Sequence, residues 1–85
     1  MEPTIIHFYT RNRCHLCENA KNILQELQMD FHFSIEEHDI DLSDELTERY
    51  GLMIPVVVMD GEEVEYGNVN KLVISKRLQE KTSFI

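Results

Sequence analysis

Cysteine, tryptophan and positive charge are all scarce in this chain, and the scarcities limit what the protein can do. The 85 residues include two cysteines and no tryptophan, so thiol chemistry depends on a single pair of side chains. Eight Lys and Arg residues stand against sixteen Asp and Glu residues, which gives a formal net charge of −8. This balance argues against nucleic acid as a partner, because phosphates attract a basic protein surface.

Long apolar runs are missing as well. The N-terminal apolar run Ile5–Tyr9 is short, is interrupted by His7 and lacks the basic segment that begins a secretion signal. No stretch approaches the roughly 20 apolar residues of a membrane span. We therefore expect a cytoplasmic protein without membrane contacts, in which a close cysteine pair is redox-active or metal-binding rather than a static crosslink.

Size and composition are typical of one small soluble domain. The sequence is 42% hydrophobic and 28% charged, as in ordinary globular proteins. A chain of this length buries only about 60–65% of its extended surface on folding. No repeat, linker or low-complexity segment divides it, so we expect a single domain over residues 1–85. Because no long exposed apolar stripe is evident, we expect a monomer.

The first half of the chain predicts a strand, a helix, a strand and a short helix. Thr4–Tyr9 is short, β-branched and aromatic, and Phe31–Ile35 alternates apolar and polar residues, so both are predicted strands. Strand, helix and strand in this order suggest a parallel βαβ unit. Ser43 is a good N-cap for a short helix that ends before Gly51. The first helix is predicted from apolar residues at helical spacing: Leu16, Ala20, Ile23, Leu24 and Leu27.

The second half predicts a β-hairpin followed by a helix. Pro55–Met59 is apolar throughout, as in a central strand, and Glu62–Tyr66 alternates, as in an edge strand. Asp60-Gly61 between them is a strong signal for a two-residue hairpin. Asn68 is expected to cap the last helix. The apolar residues assigned to that helix are Val69, Leu72, Val73 and Leu78.

Charge is distributed unevenly along the sequence. From Pro3 to Cys17 there are two arginines, Arg11 and Arg13, and no acid, whereas Glu36–Glu48 holds seven acids and no Lys or Arg. We interpret the acidic run as a solvated face. The basic pair is more informative, because it lies beside the cysteines, where charge changes thiol chemistry.

Cys14 and Cys17 are placed for reversible disulfide chemistry. In a helix that begins near Cys14, their Cβ atoms lie about 5–6 Å apart, and a small adjustment brings them within the range of a disulfide. Free backbone N–H groups at the helix start, together with Arg11 and Arg13, favour the Cys14 thiolate. Cys17, one turn further on, should be more buried. We therefore expect Cys14 to be the attacking nucleophile and Cys17 the resolving thiol.

Metal binding is the main alternative for a cysteine pair at this spacing. A structural zinc site needs four ligands, and the histidines show no recognisable ligand spacing, so redox chemistry is favoured and no metal is expected. His15 lies between the cysteines and is expected to modulate the thiolate. Of the other histidines, His7 is expected to be a core or edge residue, and His32 and His38 to face solvent.

Three segments, YTRNRCHLC, IPVVVMDGEEV and YGNVNKL, resemble glutaredoxin-like proteins of the thioredoxin superfamily. The likeness runs from about Ile5 to Leu78. It implies an α/β thioredoxin-like fold, in which a four-stranded mixed sheet is flanked by helices. It also implies that Cys14 is nucleophilic, that Cys17 resolves, and that Arg11 occupies a basic active-site position.

The resemblance also implies a substrate-binding side. Pro55 matches a proline that is cis in these folds and faces the thiols, which would leave the backbone of Ile54 open to strand addition by a substrate. Gly67 and Asn68 either present N–H groups to a carboxylate or only form a turn and cap.

Three departures from the family pattern are visible, and the glutathione site is involved in two of them. His15-Leu16 replaces the usual Pro-Tyr, Met53-Ile54 replaces the favoured Thr-Val, and the usual glycine pair with an acid is reduced to Tyr66-Gly67-Asn68. The tryptophan of the thioredoxin motif is absent as well.

The function implied by the resemblance is that of a small thiol–disulfide oxidoreductase without an organic cofactor. It would reduce protein or low-molecular-weight disulfides, and its partner would be a disulfide-containing protein or a thiol substrate, with glutathione as one candidate. Two alternatives remain. One is a non-catalytic binding or regulatory module of the same fold, and the other is a metal or iron–sulfur carrier that uses Cys14 and an external thiol.

Overall fold

The computed structural model describes residues 4–81, so the expected domain of residues 1–85 extends beyond the described part at both ends. Within this part no helix is long and apolar enough to cross a membrane. The order of elements agrees with the sequence prediction. The elements are β1 (Thr4–Thr10), α1 (His15–Leu27), β2 (Phe33–Asp39), a 3₁₀ helix (Ile40–Leu42), α2 (Asp44–Tyr50), β3 (Val56–Met59), β4 (Glu62–Tyr66) and α3 (Lys71–Lys81).

The strands form one mixed sheet in the order β2-β1-β3-β4. β1 and β2 are parallel, and their carboxyl ends meet where Thr10 lies opposite Asp39. β3 is antiparallel to both β1 and β4. All four residues of β3 are buried, which explains why this strand is continuously apolar and lies inside the sheet. The predicted four-stranded α/β fold is confirmed.

Helices cover both faces of the sheet. Ile6 and Phe8 of β1 pack on one face with apolar residues of α1 and α3. On the other face Val56 and Val58 pack with the 3₁₀ helix and α2. Each large side chain buried in this way contributes about 1.5–3 kcal/mol. The α1 residues buried in the first cluster are Cys17, Ala20, Leu24 and Leu27, as their helical spacing predicts for three of the four.

The turns and the short helix follow the local signals. Asp60 and Gly61 have φ angles of 55° and 77°, and positive values at both positions define the type I′ hairpin that the Asp-Gly pair predicts. Ser43 caps α2, since its Oγ accepts the N–H of Leu46 at 3.2 Å. Gly51 follows α2 with φ −55°. A Cβ at Gly51 would lie 2.5 Å from the Thr47 carbonyl oxygen, so this glycine is needed for close approach.

The start of α3 corrects one prediction. Asn70, and not Asn68, caps the helix, because its Oδ1 accepts the N–H of Leu72 at 2.8 Å. Because the helix begins after Asn70, its buried face consists of Ile74 and Leu78. The expected core residues Leu72 and Val73 are 69% and 41% exposed, and Val69 is buried ahead of the helix.

His38 also differs from its prediction. It is half-buried, because its ring lies between those of His7 and Tyr9 on the neighbouring strand, with centroid distances of 5.2 and 4.8 Å. His7 Nδ1 lies 3.0 Å from His38 Nε2, so one imidazole donates and the other accepts. His7 is thus a satisfied strand residue, as expected, and His32 is exposed, as expected.

Candidate active site at the start of the first helix

Cys14 and Cys17 lie at the amino end of α1, where the sequence places them. Cys14 is the N-cap residue, with extended backbone angles, and its Sγ accepts the N–H of Cys17 at 3.2 Å. The two residues are joined by a disulfide, with their Cα atoms 5.1 Å apart. Cys17 is 3% exposed, and Cys14 is half-buried, so the first sulfur is the more accessible of the two, as predicted.

Arg13 directs the chain into this arrangement. Its φ angle is 57°, in the left-handed region that bulky residues seldom occupy. Residues held in this region occur often at active sites and ligand-binding loops. Here the reversal lets the loop after β1 turn into α1, so that Cys14 becomes the helix cap. The Arg13 side chain is exposed and lines the same cavity as the cysteines.

Arg11 has a partner that the local sequence did not reveal. Its Nε and Nη2 atoms both donate to Asp41 Oδ1, at 3.2 and 2.7 Å. Similarly, Lys21 Nζ lies 3.2 Å from Glu37 Oε2. Six of the seven acids in Glu36–Glu48 are exposed, so the prediction of a solvated face is confirmed, and two of these exposed carboxylates also pair with cations near the cysteines. The parallel pairing of β1 and β2 brings these carboxylates, Glu37 within β2 and Asp41 just after it, to the cations around the cysteines.

A cavity of about 440 Å³ lies beside Cys14 and Cys17, and Arg11, Lys21 and Glu37 are among the residues that line it. Sequence reasoning found the cysteines and arginines but not the acids or Leu42, which is 85% exposed. No local signal in the sequence could have found the acids of β2 or Leu42, because they reach the cavity through the parallel register that places Thr10 opposite Asp39. The cavity is lined by Phe8, by residues 10–13, by Cys14, Cys17, Glu18 and Lys21 of the helix region, and by Glu37, Asp39 and Leu42.

The other predicted site residues lie outside this cavity lining. His15 is the first residue of α1 and is exposed. The Ile54–Pro55 peptide bond is cis, as the resemblance implies, and Ile54 is half-buried against both apolar clusters. Asn68 is exposed. Four of these residues, which we call the Ile54 side, are therefore separate from the cavity lining: Ile54, Pro55, Gly67 and Asn68.

The backbone N–H of Gly67 is already in use. It donates to the carbonyl oxygens of Met53 and Pro55, at 3.1 and 2.8 Å. Gly67 has φ 69°, which glycine adopts without steric cost. These contacts favour the turn interpretation of Gly67 over the carboxylate-binding one.

No group of three or more His, Cys, Asp or Glu side chains within residues 4–81 is arranged to hold a metal ion.

The architecture is that of the thioredoxin-like class. A mutant thioredoxin from Halobacterium salinarum shares the fold with a TM-score of 0.69 at 19% identity, over 99% of this chain and 79% of that one. A protein from X. campestris does so with a TM-score of 0.74 at 23% identity, over 88% of this chain and 96% of that one. Both likenesses confirm the predicted fold.

Within that class the chain belongs to the glutaredoxin-like family, since the profile of the Glutaredoxin-like domain (DUF836) matches residues 5–79. The solution structure of a protein from Nitrosomonas europaea is 31% identical, with a TM-score of 0.80, and the match covers 92% of this chain and 94% of that one. The predicted family is thus confirmed. This fold, with Cys14 and Cys17 at its first helix, fits a redox role.

Proposed function

We propose that the protein is a thiol–disulfide oxidoreductase that works through Cys14 and Cys17. One observation carries the proposal. The more exposed sulfur caps α1 and accepts the Cys17 N–H at 3.2 Å, while the second sulfur is buried within bonding reach of the first. This arrangement supports Cys14 as an activated nucleophile and Cys17 as the resolving thiol.

The reaction moves two electrons from the reduced pair to a substrate disulfide. The Cys14 thiolate attacks one sulfur of the substrate, which forms a mixed disulfide and releases the other sulfur as a thiolate. The Cys17 thiolate then attacks the Cys14 sulfur, which forms the internal disulfide and releases the second substrate thiolate. A thiol reductant such as glutathione, or a dithiol protein, restores the reduced pair.

Activation of Cys14 depends on the helix start. Unpaired N–H groups there carry a partial positive charge of roughly half an elementary charge. Such sites bring thiol pKa values to about 3.5–7.5, so we expect a Cys14 pKa below the ordinary thiol value. Arg13 and His15 add to this field when charged. Arg11 adds less than its sequence position suggests, because Asp41 pairs with it.

The test is reduction of insulin by the wild type, Cys14→Ser and Cys17→Ser, with Lys76→Gln as an exposed control on α3. We expect turnover in the wild type and in the control, and none in Cys14→Ser. Cys17→Ser should accumulate a mixed disulfide that intact-mass spectrometry detects, and this adduct identifies substrates in a cell extract. A wild type without activity would instead indicate a non-catalytic binding module of the same fold.

Protein substrates would dock on the Ile54 side, by strand addition to the backbone beside Pro55. Glutathione is a candidate for the same side, and an NMR titration tests it, with shifts at Ile54 and Asn68 expected if it binds there. Because the pair must be re-reduced after each turnover, we place the protein in the cytoplasm, where thiols are kept reduced.

A further inference from the structure

The cavity beside the cysteines lies at the carboxyl ends of two parallel strands, and the segments that follow these strands pack on opposite faces of the sheet. β1 continues into α1, which packs on the face that holds Phe8. β2 continues into the 3₁₀ helix and α2, which pack on the face that holds Val56. Open α/β sheets bind ligands at such a divergence, outside the carboxyl ends of the strands. The volume of about 440 Å³ suits a small molecule, since such sites span about 300–1,000 Å³.

This β2-side crevice, lined by residues 10–13, Cys14, Cys17, Asp39 and Leu42, is distinct from the Ile54 side. Neither Ile54 nor Asn68 lines it, although Cys14 and Cys17 do. A compound held in the crevice would therefore lie next to the reacting atoms, without competing for the backbone of Ile54.

The charges in the crevice indicate what it would hold. Arg11 and Lys21 are paired with carboxylates at 2.7 and 3.2 Å. Arg13 is left without an ion pair among residues 4–81. Asp39 also lines the crevice, and its carboxylate accepts the Asp41 N–H at 3.0 Å and forms no ion pair within the described residues. Glu18, on the first turn of α1, adds a second carboxylate without a cation partner there.

An uncompensated cation and uncompensated carboxylates in one small cavity match a ligand that carries both signs of charge. We propose that the β2-side crevice holds one half of a small zwitterionic disulfide, with the chemistry of an amino acid that has a thiol side chain. Its carboxylate pairs with Arg13 and its ammonium group with Asp39. The proposal rests on the proposed function and names the substrate class. The Cys14 thiolate attacks the near sulfur, the far half leaves as a thiolate, and Cys17 then releases the held half while the internal disulfide forms.

The test uses four disulfides that differ mainly in charge: cystine, neutral 2-hydroxyethyl disulfide, anionic 3,3′-dithiodipropionate and cationic cystamine. The reduced protein is mixed with each one and quenched with acid, and its oxidation is followed by intact mass. Each rate is divided by the rate at which that disulfide oxidises a free thiol, which cancels differences between leaving groups. We expect cystine to exceed each of the other three about fivefold, as one exposed ion pair supports, and about 1 M salt to remove the preference.

The ratio of the cystine rate to the neutral rate separates binding from thiol activation, because a change in Cys14 ionisation affects both rates equally. Arg13→Gln should lower this ratio about fivefold, Arg13→Lys should keep it, and Asp39→Asn should lower it while its Oδ1 still accepts the Asp41 N–H. Lys76→Gln removes one positive charge elsewhere and should leave the ratio unchanged. The proposal is overturned by a ratio near one in the wild type, by equal ratios in Arg13→Gln and Lys76→Gln, or by a preference for cystamine. Oxidation of the protein by the neutral disulfide would still support the proposed function in each case.

A second measurement needs no turnover. S-methylcysteine cannot exchange, so its titration into ¹⁵N-labelled protein reports binding alone. We expect saturable shifts at the amides of Arg13 and Asp39 and none at Ile54. Absence of these shifts would count against the crevice as a zwitterion site, whether or not the protein reduces disulfides.

Discussion

The Arg11–Asp41 ion pair offers a test of how charge controls the thiol, because its two halves can be removed separately. Asp41→Asn leaves the guanidinium near the helix start without a counter-charge, whereas Arg11→Gln leaves a carboxylate. We expect the Cys14 thiol pKa to fall in the first variant and to rise in the second. Loss of stability should be similar in both.

The magnitudes follow from the exposure of the pair. The two side chains are 33% and 50% exposed, so the pair contributes only about 0.2–1 kcal/mol to folding. In a domain of this size 1 kcal/mol corresponds to a shift in Tm of about 4–8 °C. One unit charge at about 10 Å in water contributes about 0.4 kcal/mol, or about 0.3 pKa unit, before salt screens it.

The assay is the rate of alkylation of the reduced protein by iodoacetamide as a function of pH at low salt, with Tm measured on the same samples. Glu26→Gln is the matched control, since it removes one carboxylate from the exposed Lys71–Glu26 pair. It therefore changes the net charge of the protein by the same amount as Asp41→Asn. If Asp41→Asn and Glu26→Gln lower the Cys14 pKa equally, only net charge matters. If Asp41→Asn and Arg11→Gln shift the pKa in the same direction, the electrostatic account of Arg11 is wrong.

Three further predictions concern stability. Leu24→Ala, at a side chain with no exposed surface, should lower the free energy of unfolding by about 3 kcal/mol, measured in urea. Asn70→Ala should cost about 1 kcal/mol as a lost helix cap and Asn68→Ala much less; equal losses would contradict the assigned cap. Burial raises the pKa of Tyr50 above 10.0, so the folded state holds the phenolic proton more tightly than the unfolded state. Its stabilising effect is complete below pH 10 and is lost as the pH rises further. The free energy of unfolding of Tyr50→Phe, measured above pH 10, should therefore fall less steeply with pH than that of the wild type.

The sequence predicted those parts of the fold that depend on local patterns. Helical spacing from Leu16 to Leu27 located α1, and the Asp60-Gly61 pair located the hairpin, because periodicity and turn chemistry act over a few residues. The cysteine spacing was equally local, and it placed both sulfurs at the start of α1. The central position of β3 followed from the continuous apolar run before the hairpin.

Contacts between distant segments could not be predicted in the same way. Asp41 pairs with Arg11, 30 positions away in the sequence, because β1 and β2 are parallel. The distribution of charged residues along the sequence does not reveal the register of these two strands. Asn70 caps α3 in a segment that also offers Asn68, and the choice is favoured by Glu65, whose Oε2 accepts the Asn70 N–H at 3.3 Å. Leu72 and Val73 were misassigned for the same reason, since the helix start sets which residues face the core.

A sulfur as helix cap has a thermodynamic consequence. Capping oxygens keep the same covalent bonds throughout a protein's life, but the sulfur of Cys14 gains and loses a bond partner. An anionic acceptor binds an N–H more strongly than a neutral one, so the amide of Cys17 is held most firmly when Cys14 is a free thiolate. The fraying of the first turn of α1 and the reduction of the disulfide are therefore coupled in one thermodynamic cycle. Each substitution that destabilises this turn also changes the free energy of reduction.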